Sequence, residues 1–146
     1  MQNLRNAIKQ NEQHLEEGIS DMRLWSRGVF ISQEGRQYWH ATIPLALNAI
    51  AAGKDVQSAI TSLEMDLKLY ADTRSHLTSA KGQSIEIIPL GNSVLAHGSH
   101  SGLIQQDDRI AAAKEAVLNK ITAYNQLLQQ FLAIHKWRHA PQLVSL

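Results

Sequence analysis

The sequence predicts an all-α protein: an elongated bundle of about four helices, with a small β-hairpin or extended loop ahead of a long C-terminal helix. Three observations lead there. Apolar residues recur at steps of three, four and seven over most of the chain, the spacing of one helix face. Between residues 82 and 106 that rhythm stops, and glycine, serine and β-branched residues take over. From Asp107 onward no glycine or proline interrupts the chain until Pro141.

The first helix is carried by Leu4, Ile8, Leu15, Ile19, Met22 and Trp25, with Arg5, Lys9, Glu12, Glu16 and Glu17 on its other side. Gly18 falls inside it and weakens it by about 1 kcal/mol relative to alanine. Gly28, just after Arg27, marks its stop. Val29, Phe30 and Ile31 form a short apolar link or prolong the helix. Ser32 then offers an N-cap for a second helix, which turns Trp39, Ile43, Leu47 and Ile50 inward. Pro44 sits within that pattern. It either kinks the helix or sets its start near Thr42, with the proline in the first turn.

Gly53-Lys54-Asp55 reads as the boundary to a third helix, with Gly53 past the end of one helix and Asp55 capping the next. Val56, Ile60, Leu63, Leu67, Tyr70 and Leu77 form its apolar face to about Ala80. Ser84-Ile85-Glu86-Ile87-Ile88 then reads as a strand, Pro89 to Asn92 as a turn and Ser93 to Ala96 as a return strand. His97 to Gly102 has no periodicity and reads as a loop. The last helix starts at Asp107-Asp108, acids suited to a helix N-terminus. Ile110, Ala113, Val117, Ile121, Tyr124, Leu128 and Phe131 make its stripe, widened by Leu118, Leu127, Leu132 and Ile134. It is expected to run through His139.

Composition bounds what such a chain does. Its 146 residues suit one helical domain, residues 1–146. The 44% hydrophobic and 18% charged content is that of a globular chain, and 5% aromatics makes the core aliphatic. A formal net charge of +1 gives no global pull toward nucleic acid or membrane. With no cysteine, thiolate zinc sites, disulfides and cysteine nucleophiles are excluded. The residues after Met1 lack an apolar leader, and no apolar run reaches the ~18 residues of a membrane span, so the expected location is cytoplasmic.

Length adds an expectation about association. A helix of about 32 residues spans roughly 48 Å. A compact domain of this size has a diameter near ~38 Å, so the helix overhangs. An overhanging apolar stripe calls for a protein partner or a second copy, a homo-oligomer.

Two side-chain constellations stand out. His135 and His139, four apart on the expected last turns, share a helix face in the manner of helical zinc pairs. His97 and His100 are further ligands for zinc or another divalent metal. Lys136 stands where a metalloprotease has its glutamate, so that chemistry is unsupported. Against a metal, His135 continues the apolar stripe and His139 lies where it can bond the helix end. The second constellation is Lys136-Trp137-Arg138, cations around an aromatic, with Arg23, Arg27 and Arg36 as a smaller cluster. Together these six are partner or anion contacts, although a phosphate-binding surface asks for a wider basic footprint.

No stretch carries a nucleophile elbow or a P-loop, and no catalytic residue is assigned. The expected function is a non-enzymatic protein-interaction module, such as an adaptor, chaperone, immunity or assembly factor, acting through the long C-terminal helix. Two alternatives stand beside it. One is a metal-binding protein or metal-dependent enzyme built on the histidines. The other is a nucleic-acid-binding protein using its basic helix ends.

Overall fold

The computed structural model describes the backbone of residues 1–26, 32–83 and 93–146, and the side chains of 1–24, 32–75 and 106–146. Among these residues there are three helices and no strand: α1 (Gln2–Ser26), α2 (Gln33–Gln83) and α3 (Ser93–Ile134). Residues 135–146 follow α3 without helix. No helix is long and apolar enough to cross a membrane, among the described residues. The chain packs as two units, Met1–Ser58 with Leu118–Leu146, and Ala59–Val117.

In the first unit the buried positions follow the three- and four-residue steps of a helix face. Leu4, Ile8, Asn11, Leu15, Gly18 and Met22 do so on α1. Thr42, Ile43, Ala46, Ala49, Gly53 and Val56 line the facing side of α2, and Ile121, Tyr124, Leu128 and Phe131 that of α3. This is the spacing of a helix–helix seam. Ile8 and Tyr124 both meet α2 at Gly53. Further along α1 and past the end of α3, Gly18 meets Trp137, while Lys136 bonds Tyr38 of α2. Moving forward on α1 and α3 thus moves backward on α2, so α2 is antiparallel to the other two.

Several sequence expectations hold here. Ser32 caps α2: its hydroxyl accepts the Gly35 N–H (3.1 Å) and its carbonyl the Arg36 N–H (3.1 Å). Leu4, Ile8, Leu15, Ile19 and Met22 are all buried. Leu47, however, is 46% exposed, and the small residues Ala46 and Ala49 are buried in its place.

Other expectations are overturned. The boundary at Gly53-Lys54-Asp55 does not exist, because α2 passes straight through it. A Cβ on Gly53 would lie 3.1 Å from Ile8 Cγ2 and 3.2 Å from Tyr124 Cε2. Gly53 therefore serves the close approach of two neighbouring helices, not a left-handed turn, and it has no positive φ. The second and third expected helices are one, so the four-helix count becomes three. The start near Thr42 also fails, since α2 begins at Gln33 and carries Pro44 inside. Pro44 and His40 are both exposed, so the His40 carbonyl left without a helical donor is on the water side.

In the second unit residues 60–73 of α2 pair with residues 106–117 of α3. Ile60, Leu63, Ile110 and Val117 are buried, and Gln106 Nε2 donates to Thr73 Oγ1 (3.2 Å). The β-hairpin finds no support. Its return strand, Ser93 to Ala96, is the first turn of α3, and its first strand lies outside the described residues. His97 to Gly102 is helical backbone instead of a loop, and Asp107-Asp108 lies inside α3 instead of opening it.

Candidate functional site

The most specific chemistry in the first unit lies where residues 135–146 fold back along α1 and α3. Trp137 sits at Gly18, Gln142 at Asn11 and Val144 at Asn125, so this strap runs antiparallel to both helices.

Two asparagines hold its main chain. Asn11, 3% exposed, donates from Nδ2 to the Gln142 carbonyl (2.7 Å) and to the Tyr124 hydroxyl (3.2 Å), while its Oδ1 accepts the Gln142 N–H (2.8 Å). Asn125 repeats the arrangement one residue pair on. Its Nδ2 donates to the Val144 carbonyl (2.8 Å) and its Oδ1 accepts the Val144 N–H (2.9 Å). A side-chain amide has the same donor and acceptor pair as a peptide group, so each asparagine pairs with the strap as a neighbouring strand would. Asn11 satisfies both amide hydrogens and its oxygen, which makes its place in an apolar seam tolerable.

The strap's side chains divide by three. Pro141 and Val144 are buried, whereas Gln142, Leu143, Ser145 and Leu146 are exposed. A spacing of three is that of polyproline II rather than the two-residue alternation of a strand. Tyr124 beneath the strap has its phenol pushed up from the ordinary value of 10.0, first by burial and further by the charge of Glu12, against the opposing pull of the Asn11 hydrogen bond.

Trp137 anchors the upstream end. Its ring lies against the bare backbone of Gly18 and edge-on to Phe131 (centroids 4.7 Å apart, 72° between planes). Its indole N–H is buried and has no acceptor among the described residues. On one side of Trp137 opens a cleft of about 710 Å³, shared by Lys136, Arg138, Tyr38, Asp21 and Glu34. Lys136 Nζ stands 5.4 Å from the Tyr38 ring centroid, and its backbone N–H donates to the Tyr38 hydroxyl. Two carboxylates share this cleft with the two cations, so it is mixed in charge. On the other side, His139 stacks on His14 (5.3 Å, 23°) and lies 3.8 Å from Glu17.

The residues singled out from the sequence are placed as follows. Lys136, Trp137 and Arg138 come together at the cleft, whose lining includes neither Arg23 nor Arg36; Arg27 lies outside the described residues. The helical face shared by His135 and His139 does not form, because α3 ends at Ile134. His135 instead donates from Nδ1 to the Leu132 carbonyl (2.8 Å), closing the helix end, and stands against Phe131. The side chains of His97 and His100 lie outside the described residues. Among the described residues, no three histidines or acids group to hold a metal. Asn11 and Asn125 were missed. Asn11 did leave a signal: it occupies a seam position between Ile8 and Leu15 that is apolar elsewhere.

Fold and site together define a helical bundle that carries an extended segment of its own chain in side-chain clamps. No protein-family model, curated protein or solved structure matches the chain.

Proposed function

We propose that this chain is a non-enzymatic protein-interaction module. The observation that carries the reading is the pair of asparagine clamps at Gln142 and Val144. Reading a main chain through side-chain amides is the chemistry of holding polypeptide, and it suits no small substrate in particular. The surroundings fit: Trp137 and Tyr38 offer aromatic surface beside cations, the composition favoured at interface centres. The long helix contributes by supplying the Asn125 wall. Of its stripe, Val117, Ile121, Tyr124, Leu128 and Phe131 are covered within the chain, so the main stripe is not the surface offered to a second copy, while Leu118 and Ile134 are exposed.

The test is solution mass by light scattering on the full chain, then reconstitution with purified proteins recovered by affinity capture. A stoichiometric complex with another protein is the expected result. A strictly monomeric chain with no reconstitutable partner overturns the reading.

A further inference from the structure

We propose that the groove between α1 and α3 is a receptor for an extended Pro-x-x-Val segment of a partner protein, and that residues 140–146 are its resident intramolecular ligand. The proposal rests on the reading of the chain as an interaction module and names the chemistry of its partner.

The occupant can be read from the strap seated there. The groove recognises main chain at two places, through Asn11 on Gln142 and Asn125 on Val144. Those contacts ask only that the segment be extended and carry an N–H and a C=O at each place. Selectivity comes from the two side chains that go inside, Pro141 and Val144. The residues between and after them point to water and are not read. Proline and a β-branched residue also hold the backbone extended, which lowers the entropy cost of binding. The strap has no helix or sheet bonding of its own to lose: the main-chain hydrogen bonds of Gln142 and Val144 go to the two asparagines. On this reading the strap leaves the groove while the helices that form the walls stay folded.

Tethering gives the strap an effective concentration on the order of millimolar. An outside segment therefore competes against it, and unseating the strap raises affinity for the outside segment.

The experiment uses the full chain and a fluorescent peptide of residues 138–146, Arg-His-Ala-Pro-Gln-Leu-Val-Ser-Leu, followed by anisotropy. The variant Pro141→Asp/Val144→Asp unseats the strap. It is expected to bind the peptide saturably, at least about ten-fold tighter than the natural chain. Adding Asn125→Ala should weaken that binding by about ten-fold, as should aspartates at the proline and valine of the peptide. A folded variant that shows no saturable binding, or that binds the aspartate peptide equally, overturns the proposal. If the variant does not fold, amide exchange in the natural chain decides. Exchange at Gln142 and Val144 about a hundred-fold faster than at Tyr124 and Leu128 shows a strap that opens locally. Equal protection makes it part of the core and overturns the proposal.

A natural chain that is dimeric, and becomes monomeric on Pro141→Asp/Val144→Asp, puts a second copy's strap in the groove and overturns a partner's segment as the occupant. The broader reading fails separately. A reconstituted partner complex indifferent to Asn125→Ala overturns the groove alone. Peptide binding without any reconstitutable partner overturns the module alone.

Discussion

Gly18 of α1 and Trp137 of the strap share one space: a Cβ on Gly18 would fall on the Cε3, Cζ3 and Cδ2 atoms of the indole. The glycine that looks like a weakness in the helix is the seat of the ring that starts the strap on its course.

That relationship predicts a sign reversal. Helix propensity alone makes Gly18→Ala a gain of about 1 kcal/mol. With Trp137 in place, the overlap should turn this into a loss of about 1–3 kcal/mol. Urea denaturation measures it, and displacement of the indole should shift tryptophan emission to the red. In a Trp137→Ala background the same glycine change should become stabilising. A Gly18→Ala protein as stable as the natural one removes the seat from the account.

The two clamps should be coupled, because they hold one segment. Asn11→Ala loses three hydrogen bonds at a buried site, about 2–4 kcal/mol, and Asn125→Ala loses two at a half-buried one, about 1–2 kcal/mol. Once either clamp is gone and the strap is loose, the second substitution should cost less. A double-mutant cycle is expected to miss additivity by at least about 0.5 kcal/mol. Additive losses would mean that the asparagines act independently of the strap.

Tyr124 gives an alkaline signature. Its phenol is held above 10.0 in the folded chain, chiefly by burial, so the unfolded chain ionises first. Between the two values the folded state holds the extra proton, and stability falls as pH rises. Below pH 10 neither state ionises there, and this dependence vanishes. Denaturant midpoints from pH 8 to 11 should therefore drop more steeply above pH 10 for the natural chain than for Tyr124→Phe. Parallel curves would refute the assignment.

Ser32 caps the N-terminus of α2 through the Gly35 N–H. Ser32→Ala should cost about 1 kcal/mol, and Ser32→Asp, which keeps an acceptor, should restore most of it. Thermal unfolding of the three proteins checks the order.

How far the sequence reached depends on which residues lined the seams. Where these are large and apolar, as with Leu4, Ile8 and Leu15 or Ile121, Leu128 and Phe131, the face is legible from spacing alone. Where they are small or polar the reading broke. Ala46, Ala49 and Gly53 continue the three- and four-residue steps from Thr42 to Val56, but a count of large residues chose Leu47 and placed a boundary at Gly53. The candidate site shows the same split. Lys136, Trp137 and Arg138 were visible as a local run. Asn11 and Gln142 are 131 residues apart in the chain, and nothing local in either announces the pair.

By itself, then, the sequence determined the all-helical class, the cap at Ser32 and the apolar stripes of α1 and of the second half of α3. All of these are set by neighbours within a turn or two. Tertiary structure alone decided that α2 runs unbroken through Pro44 and Gly53, that α3 ends at Ile134, and that the last twelve residues leave the helix to lie between two asparagines. The physical reason is common to all three. Local preferences here are about 1 kcal/mol for a helix-interior glycine and about 3 kcal/mol for a helix-interior proline, and packing summed over many side chains far away in sequence contributes more than that.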